Sequence, residues 1–333
     1  MMRTGIRFLS PIILGLMLVI SPNVSAAQDR TKNPRVGIIL NDGPGPVFDA
    51  LRQGFAQLGY IEGRNIIIEG RFAHGNLDRV PELAAELVGL KVDVIVSLGA
   101  VGAQAARKAS PTVPIVFVGA IDPIAVGFAA TLERPGGSVT GITSFDPQQA
   151  RKQFELLQQV VPNLSRVAIL SDEDIPRVDG WNPLEKANDT AARAAGVQPQ
   201  WLKVKGPDPD LQGAFTAMKN ERAEVLLVLD APVPIIHQKR IADLAAKHRL
   251  PTMFLGGRRM SSAGGFIAYG TGLLDTFPRI PAYVDKILKG AKPGDLPIEV
   301  LTQHVLVINL KTAREIGVTV PPDLLKRADQ VIE

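Results

Sequence analysis

The stretch Val36-Gly37-Ile38-Ile39-Leu40, followed at once by Asn41-Asp42-Gly43-Pro44-Gly45, decides the fold class. An apolar run with no polar alternation describes a strand covered on both faces, and the cluster behind it is a turn. Val47, Leu51, Phe55 and Leu58 then recur at helical spacing. Working outward, the same order returns. Residues 65–69, Val92-Asp93-Val94-Ile95-Val96, Pro114-Ile115-Val116-Phe117-Val118 and Val139-Thr140-Gly141-Ile142 read as strands. Helical patterns fill the gaps at Val80, Leu83, Leu87 and Leu90 (with Asp78 as N-cap) and over residues 100–109. Buried strands joined by helices make a parallel sheet, and right-handed crossovers make it doubly wound.

The plan restarts at Arg166-Val167-Ala168-Ile169-Leu170. Further strands are expected at 198–204, 225–229 and 252–255, with helices over 148–160, 183–195, 208–220 and 234–248. Two α/β lobes are therefore predicted. A less regular tail carries strands at 266–269 and 305–309, an extended 297–300, and helices over 273–288, 311–316 and from Pro321 onward. The chain is expected to re-enter the first lobe near Gly265 and to leave it near Leu301. That gives 34–143 with 265–300 in the N-terminal lobe, and 144–264 with 301–333 in the C-terminal lobe. With the passage near Thr143, three crossings form a hinge.

Residues 1–27 read as a signal peptide. Arg3 and Arg7 precede an apolar segment, and Val24-Ser25-Ala26-Ala27 offers small residues at the spacing of a cleavage site. The mature chain is thus expected to be exported. It has no cysteine, so no disulfide supports it and no lipid can be attached through an N-terminal thiol. Retention of a soluble exported protein then points to the periplasm. The net charge of +4 is scattered among acids rather than gathered into a basic patch, which argues against nucleic acid as a partner.

In open parallel sheets the ligand sits beyond the carboxyl ends of the strands. The candidate residues there are Asn41, Asp42, Gly99, Ala100, Asp122, Asp230 and Tyr269. Each has a plain structural alternative. Asn41-Asp42-Gly43 also reads as a simple turn. Gly99-Ala100 either opens a helix whose free N–H groups hold an anion or only permits close packing. Asp122-Pro123 also reads as a cap, and Asp230 either caps the next helix or receives a ligand amine or hydroxyl. The polar stretch 171–174 reads as solvated at its tip, with a member reaching ligand as the alternative. Arg258 and Arg259 read as anion partners or surface groups, and Tyr269 as a stacking platform or ordinary packing. Enzyme signatures are absent: there is no Gly-x-Gly-x-x-Gly, no phosphate-binding Gly-Lys-Ser/Thr loop and no Gly-x-Ser-x-Gly elbow. His74, His237, His248 and His304 form no metal-spaced pair. No enzyme activity, cofactor or metal is predicted.

Several longer stretches carry a resemblance. These are Phe48-Asp49-Ala50-Leu51-Arg52-Gln53-Gly54, Leu58-Gly59-Tyr60-Ile61-Glu62-Gly63-Arg64-Asn65-Ile66, Arg134-Pro135-Gly136-Gly137-Ser138-Val139-Thr140-Gly141 and Ile308-Asn309-Leu310-Lys311-Thr312-Ala313. With them the chain resembles the ABC-type substrate-binding proteins of the tryptophan/tyrosine-transport-like family. The resemblance implies the type 1 periplasmic binding protein fold and hinge closure on a small polar solute. It also implies delivery to an inner-membrane ABC permease with a cytoplasmic ATPase, by a receptor expected to be monomeric. Its cleft positions match Asn41, Gly99, Ala100, Asp122, Asp230 and Tyr269. Many relatives carry a hydroxyl residue after the glycine that Gly99 matches; Ala100 stands there instead. A sensor presenting solute to a membrane signalling receptor is the alternative function.

Overall fold

The computed structural model describes residues 33–257 and 263–333. The leader segment and the pair Arg258 and Arg259 lie outside the described residues.

Two sheets form the frame. The first holds β1 (Arg35–Leu40), β2 (Ile67–Phe72), β3 (Val94–Leu98), β4 (Ile115–Gly119) and β5 (Val139–Thr143), with the short strand Glu299–Val300 at one edge. Its spatial order is β2-β1-β3-β4-β5, all parallel. The second is built around β6 (Arg166–Asp172), β7 (Gln198–Val204), β8 (Val225–Val228), β9 (Thr252–Leu255) and β10 (Ile267–Thr271), ordered β7-β6-β8-β9-β10. The strands His304–Asn309 and Gln330–Ile332 complete it, the first of them antiparallel to β10. That reversal follows from connectivity, because the chain returns from the other lobe at the cleft edge of the sheet and runs away from it. Each sheet reverses its strand order once, between β1 and β3 and between β6 and β8.

The continuous apolar runs are explained by helices on both faces. Alternate residues of β1 point to opposite sides. Ile39 joins the core formed with α2 (Val80–Gly89) and α3 (Ala100–Ala109), while Val36, Ile38 and Leu40 pack with Leu51 and Phe55 of α1 (Pro46–Gln57). Val284, from the tail helix Ile280–Leu288, closes the same face and places that helix on the first sheet. Gly102 lets α3 lie on the strands, since a β-carbon there would stand 2.4 Å from the Ser97 Oγ. In the second lobe α4 (Pro147–Val160) and α5 (Pro183–Ala194) cover one face. The other is covered by α6 (Leu211–Asn220), α7 (Pro232–Ile236) and α8 (Gln238–Lys247). Among the described residues no helix is long and apolar enough to cross a membrane.

Four expectations need correction. The return to the first lobe comes later than Gly265: β10 pairs with β9 and with His304–Asn309 in the second sheet, and the chain leaves only after Thr271. An apolar strand records that it is buried but not which sheet adopts it. Asp78 does not cap α2, because a turn of 3-10 helix, Leu77–Arg79, precedes that helix. The single helix expected over 234–248 is two, separated at His237. The one over 273–288 opens as the 3-10 segment Leu273–Arg279, with Pro278 inside it. The passages between lobes run through Ser144, Gly272 and Leu301, and the Leu301 N–H donates to the Thr143 carbonyl, tying two of them together.

Candidate functional site

The strand order dictates where a site can form. At a point of reversal, the helices after the two neighbouring strands leave to opposite faces, and the loops between them part into a crevice. In the first lobe the loops after β1 and β3 flank that crevice; in the second, those after β6 and β8. The two crevices share one cavity of about 160 Å³. Asn41, Asp42, Gly99 and Ala100 line it from one lobe, and Ile175, Asn182 and Asp230 from the other. Five of the seven expected positions thus meet at one place. Most of the remaining wall is apolar, including Leu98, Val118, Ile235 and Phe277.

Local geometry explains what each polar group offers. Gly99 has φ 86° and ψ 174°, a conformation that an L side chain adopts only with strain. Its N–H donates to the Val118 carbonyl at 2.8 Å, which turns the chain sharply into α3. No side chain caps α3 and its first turn holds no acid, so the positive end of the helix faces the cavity uncompensated. Asn41 is buried; its Nδ2 donates to the Leu98 carbonyl at 3.2 Å, and its Oδ1 has no partner among the described residues. Asn182 instead spends its Oδ1 on the Leu184 N–H, capping α5.

Two expected positions are placed elsewhere. The Asp122 Oδ1 accepts from the Ile124 and Ala125 N–H groups at 3.1 and 3.0 Å, but the turn it closes does not continue into the helix that a cap there would start. It also lines a second, more open concavity of about 520 Å³ with Phe145, Arg151, Trp181 and Lys186. Trp181 is 40% exposed at its rim and meets Trp201 edge-on, the ring centres 5.9 Å apart. The Trp201 Nε1 donates to Asp189. Tyr269 lines neither concavity. Its ring stacks on His304 at 5.4 Å, and its carbonyl accepts from Gln149 and Gln153.

Across from the hinge the lobes touch. Lys205, just beyond β7, reaches Asp78 of the first lobe at 3.6 Å and Asp174 of its own at 3.4 Å. Gly75 lies so close to Pro207 that a β-carbon on it would stand 3.3 Å from the Pro207 backbone. Ser171 and Asp172, in the stretch expected to be solvated, are instead fully buried; Asp172 ends β6, and burial pushes its carboxyl up to about 6. The signal was available: it is the last residue in register of a strand that is buried from Val167 onward.

A family model described as "ABC transporter substrate binding protein" matches residues 37–332. The chain belongs to this family. Among relatives, the substrate-binding protein is 22% identical to a tyrosine-binding protein of Clostridioides difficile, over 81% of this chain and 77% of that one. A solved structure of a conserved domain protein from Vibrio cholerae O1 superposes with a TM-score of 0.79 at 26% identity, covering 90% of this chain and all of that one. The Streptococcus pneumonia ABC domain in complex with L-Trp also gives 0.79, at 24% identity and the same coverage. The frame is that of the type 1 periplasmic binding proteins, two parallel-sheet lobes joined at a hinge.

Proposed function

We propose that this substrate-binding protein is the periplasmic receptor of an ABC importer, capturing a small zwitterion of amino-acid size by closing its lobes. The observation that carries the reading is the single cavity lined from both points of strand reversal. A solute that touches both lobes gains its full set of contacts only when they are shut, so it shifts the population toward the closed form.

The lining suits an amino acid. The uncapped end of α3 favours a carboxylate through N–H groups that the helix itself cannot use. Asp230 and the Asn41 Oδ1 favour an ammonium group. The apolar majority of the wall favours a modest apolar side chain, and cavities of this volume accept a benzene-sized group. Tyrosine and L-Trp, the ligands for which two relatives are named, are of this class. Ala100 leaves recognition of the carboxylate to backbone N–H groups. Nothing in this scheme alters the solute; the receptor is not an enzyme, and delivery is to a permease driven by a cytoplasmic ATPase.

Calorimetric titration of the refolded, solute-free protein against the twenty standard amino acids tests the reading. A dissociation constant in about the micromolar range or tighter for at least one of them is expected. Failure to bind any of them overturns it. Sequencing of the protein released by osmotic shock should begin at Ala27 or Gln28.

A further inference from the structure

Asp172 has no exposed surface, and its side chain forms no part of the cavity wall. Its two oxygens serve two different loops. Oδ1 accepts from the Asp174 N–H at 2.9 Å, within the loop after β6. Oδ2 accepts from the Val233 N–H at 2.9 Å, in the first turn of α7, which follows β8. These are the loops that build the second lobe's wall, Ile175 and Asn182 on one and Asp230 and Pro232 on the other. One carboxylate thus stitches together both sides of the second lobe's crevice.

We propose that Asp172 is a positioning residue whose ionised carboxylate clasps the two cavity loops of the second lobe, so that the cleft holds its solute in neutral solution and loosens its grip on acidification. This rests on the solute-receptor reading above. The chemistry is a matter of counting acceptors. A carboxylate presents two, one to each N–H. A carboxylic acid presents one good acceptor and one O–H, and the O–H is a donor facing a donor. Protonation at either oxygen therefore breaks one of the two stitches.

The surroundings set the pH at which this happens. Burial raises the Asp172 carboxyl to about 6, against the pull of its two amide bonds; Asp174 and Glu173 push it further up. Lys205, beyond β7, pairs with Asp174 at 3.4 Å. Behind the strand, Ser171 donates to Glu185 at 2.8 Å, and Lys203 lies 3.5 Å from the same carboxylate. Asp230 follows β8. His237, at the far end of α7, is held below its ordinary value by its own burial and by Arg240.

The test has two arms, both on the mature chain. The first measures amide hydrogen exchange in solute-free protein at pH 7.5 and 5.5, corrected for the intrinsic rate. Protection of one of the two amides, Val233 or Asp174, is expected to fall about tenfold at the lower pH, the loss of one charge-assisted bond. In Asp172→Asn it should be low at both. Unchanged protection in the wild type, or a step that survives in Asp172→Asn and so belongs to another group, overturns the clasp. The second arm is equilibrium dialysis against an equimolar mixture of the twenty amino acids. Wild type should retain about three- to tenfold more at pH 7.5 than at 5.5, and Asp172→Asn should be weak and flat. Equal retention at both pH values overturns the proposal; no retention at pH 7.5 overturns the receptor reading instead.

Discussion

Each lobe brings one carboxylate to the cavity wall, Asp42 in the first and Asp230 in the second, but the second also has a buried carboxylate, Asp172, tying its loops together behind the wall. Around Gly99 the recognition surface is an uncapped helix end and a carboxamide, with the Asp42 carboxylate beside them. Around β6 and β8 it is Asp230 at the wall and Asp172 behind it. Both lobes have the same reversal of strand order, so topology fixed where the crevices lie and left their chemistry free. The difference teaches that the loops of one half of such a site can be shaped by backbone conformation while those of the other are held together by a buried ionisable group.

Substitutions can break that comparison. The largest effect is expected from Gly99→Ala, which forces a side chain into the conformation with φ 86° beside the Asn41 Nδ2. Strain of about 3 kcal/mol at most should lower the unfolding midpoint, and tilting of α3 should weaken binding by more than about a hundredfold. Calorimetry and thermal unfolding read both.

The second prediction concerns stability rather than affinity, and its sign is opposite to that of the clasp. A carboxyl raised from 3.8 to about 6 on folding favours the native state fully only below the unfolded value, and that contribution is lost as pH rises through about 6. Acidification from pH 7 toward 4 should therefore add up to about 3 kcal/mol from Asp172, set against the losses from other carboxylates. Denaturant titration should show Asp172→Asn reducing that gain. Protein that grips its solute less at pH 5.5 should thus not be generally looser there.

Asp230→Asn should cost about 2 kcal/mol of binding free energy for a zwitterion, as measured by the same titrations. Lys205→Met should quicken solute release by less than about fivefold and remove part of its salt dependence, because an exposed ion pair is screened. Stopped-flow dissociation at two ionic strengths checks this. Smallest of all, Tyr269→Phe should leave affinity within about twofold of wild type, since the ring stacks on His304 away from the cavity.

Much of this was legible in the residues. The strands 198–204 and 252–255 match β7 and β9 residue for residue, because buried or edge runs bounded by turn signals leave little choice. Partnership was not legible. Nothing local in Phe266-Ile267-Ala268 says that β10 belongs to the second sheet, and Gln330–Ile332 is too short and too exposed to announce itself as a strand. The same limit divides the site. Asn41, Gly99 and Asp230 follow directly from lying past strand ends. Tyr269 was placed by nearness to a lobe boundary, but its ring direction depends on His304, 35 residues away along the chain. Asn182 was hidden because Asn-Pro before a helix reads fully as a cap, which it also is.

The pairing of Trp181 with Trp201 has a practical consequence. These are the only two indoles in the chain, and one stands half-open at a groove whose other wall includes Asp122 and Ala125 of the opposite lobe. Part of the indole emission of this molecule therefore originates at a seam whose width would change under the closure proposed above. The molecule carries an optical gauge of its own posture, and Trp201→Phe would reduce that signal to a single, wall-facing emitter without attaching any dye.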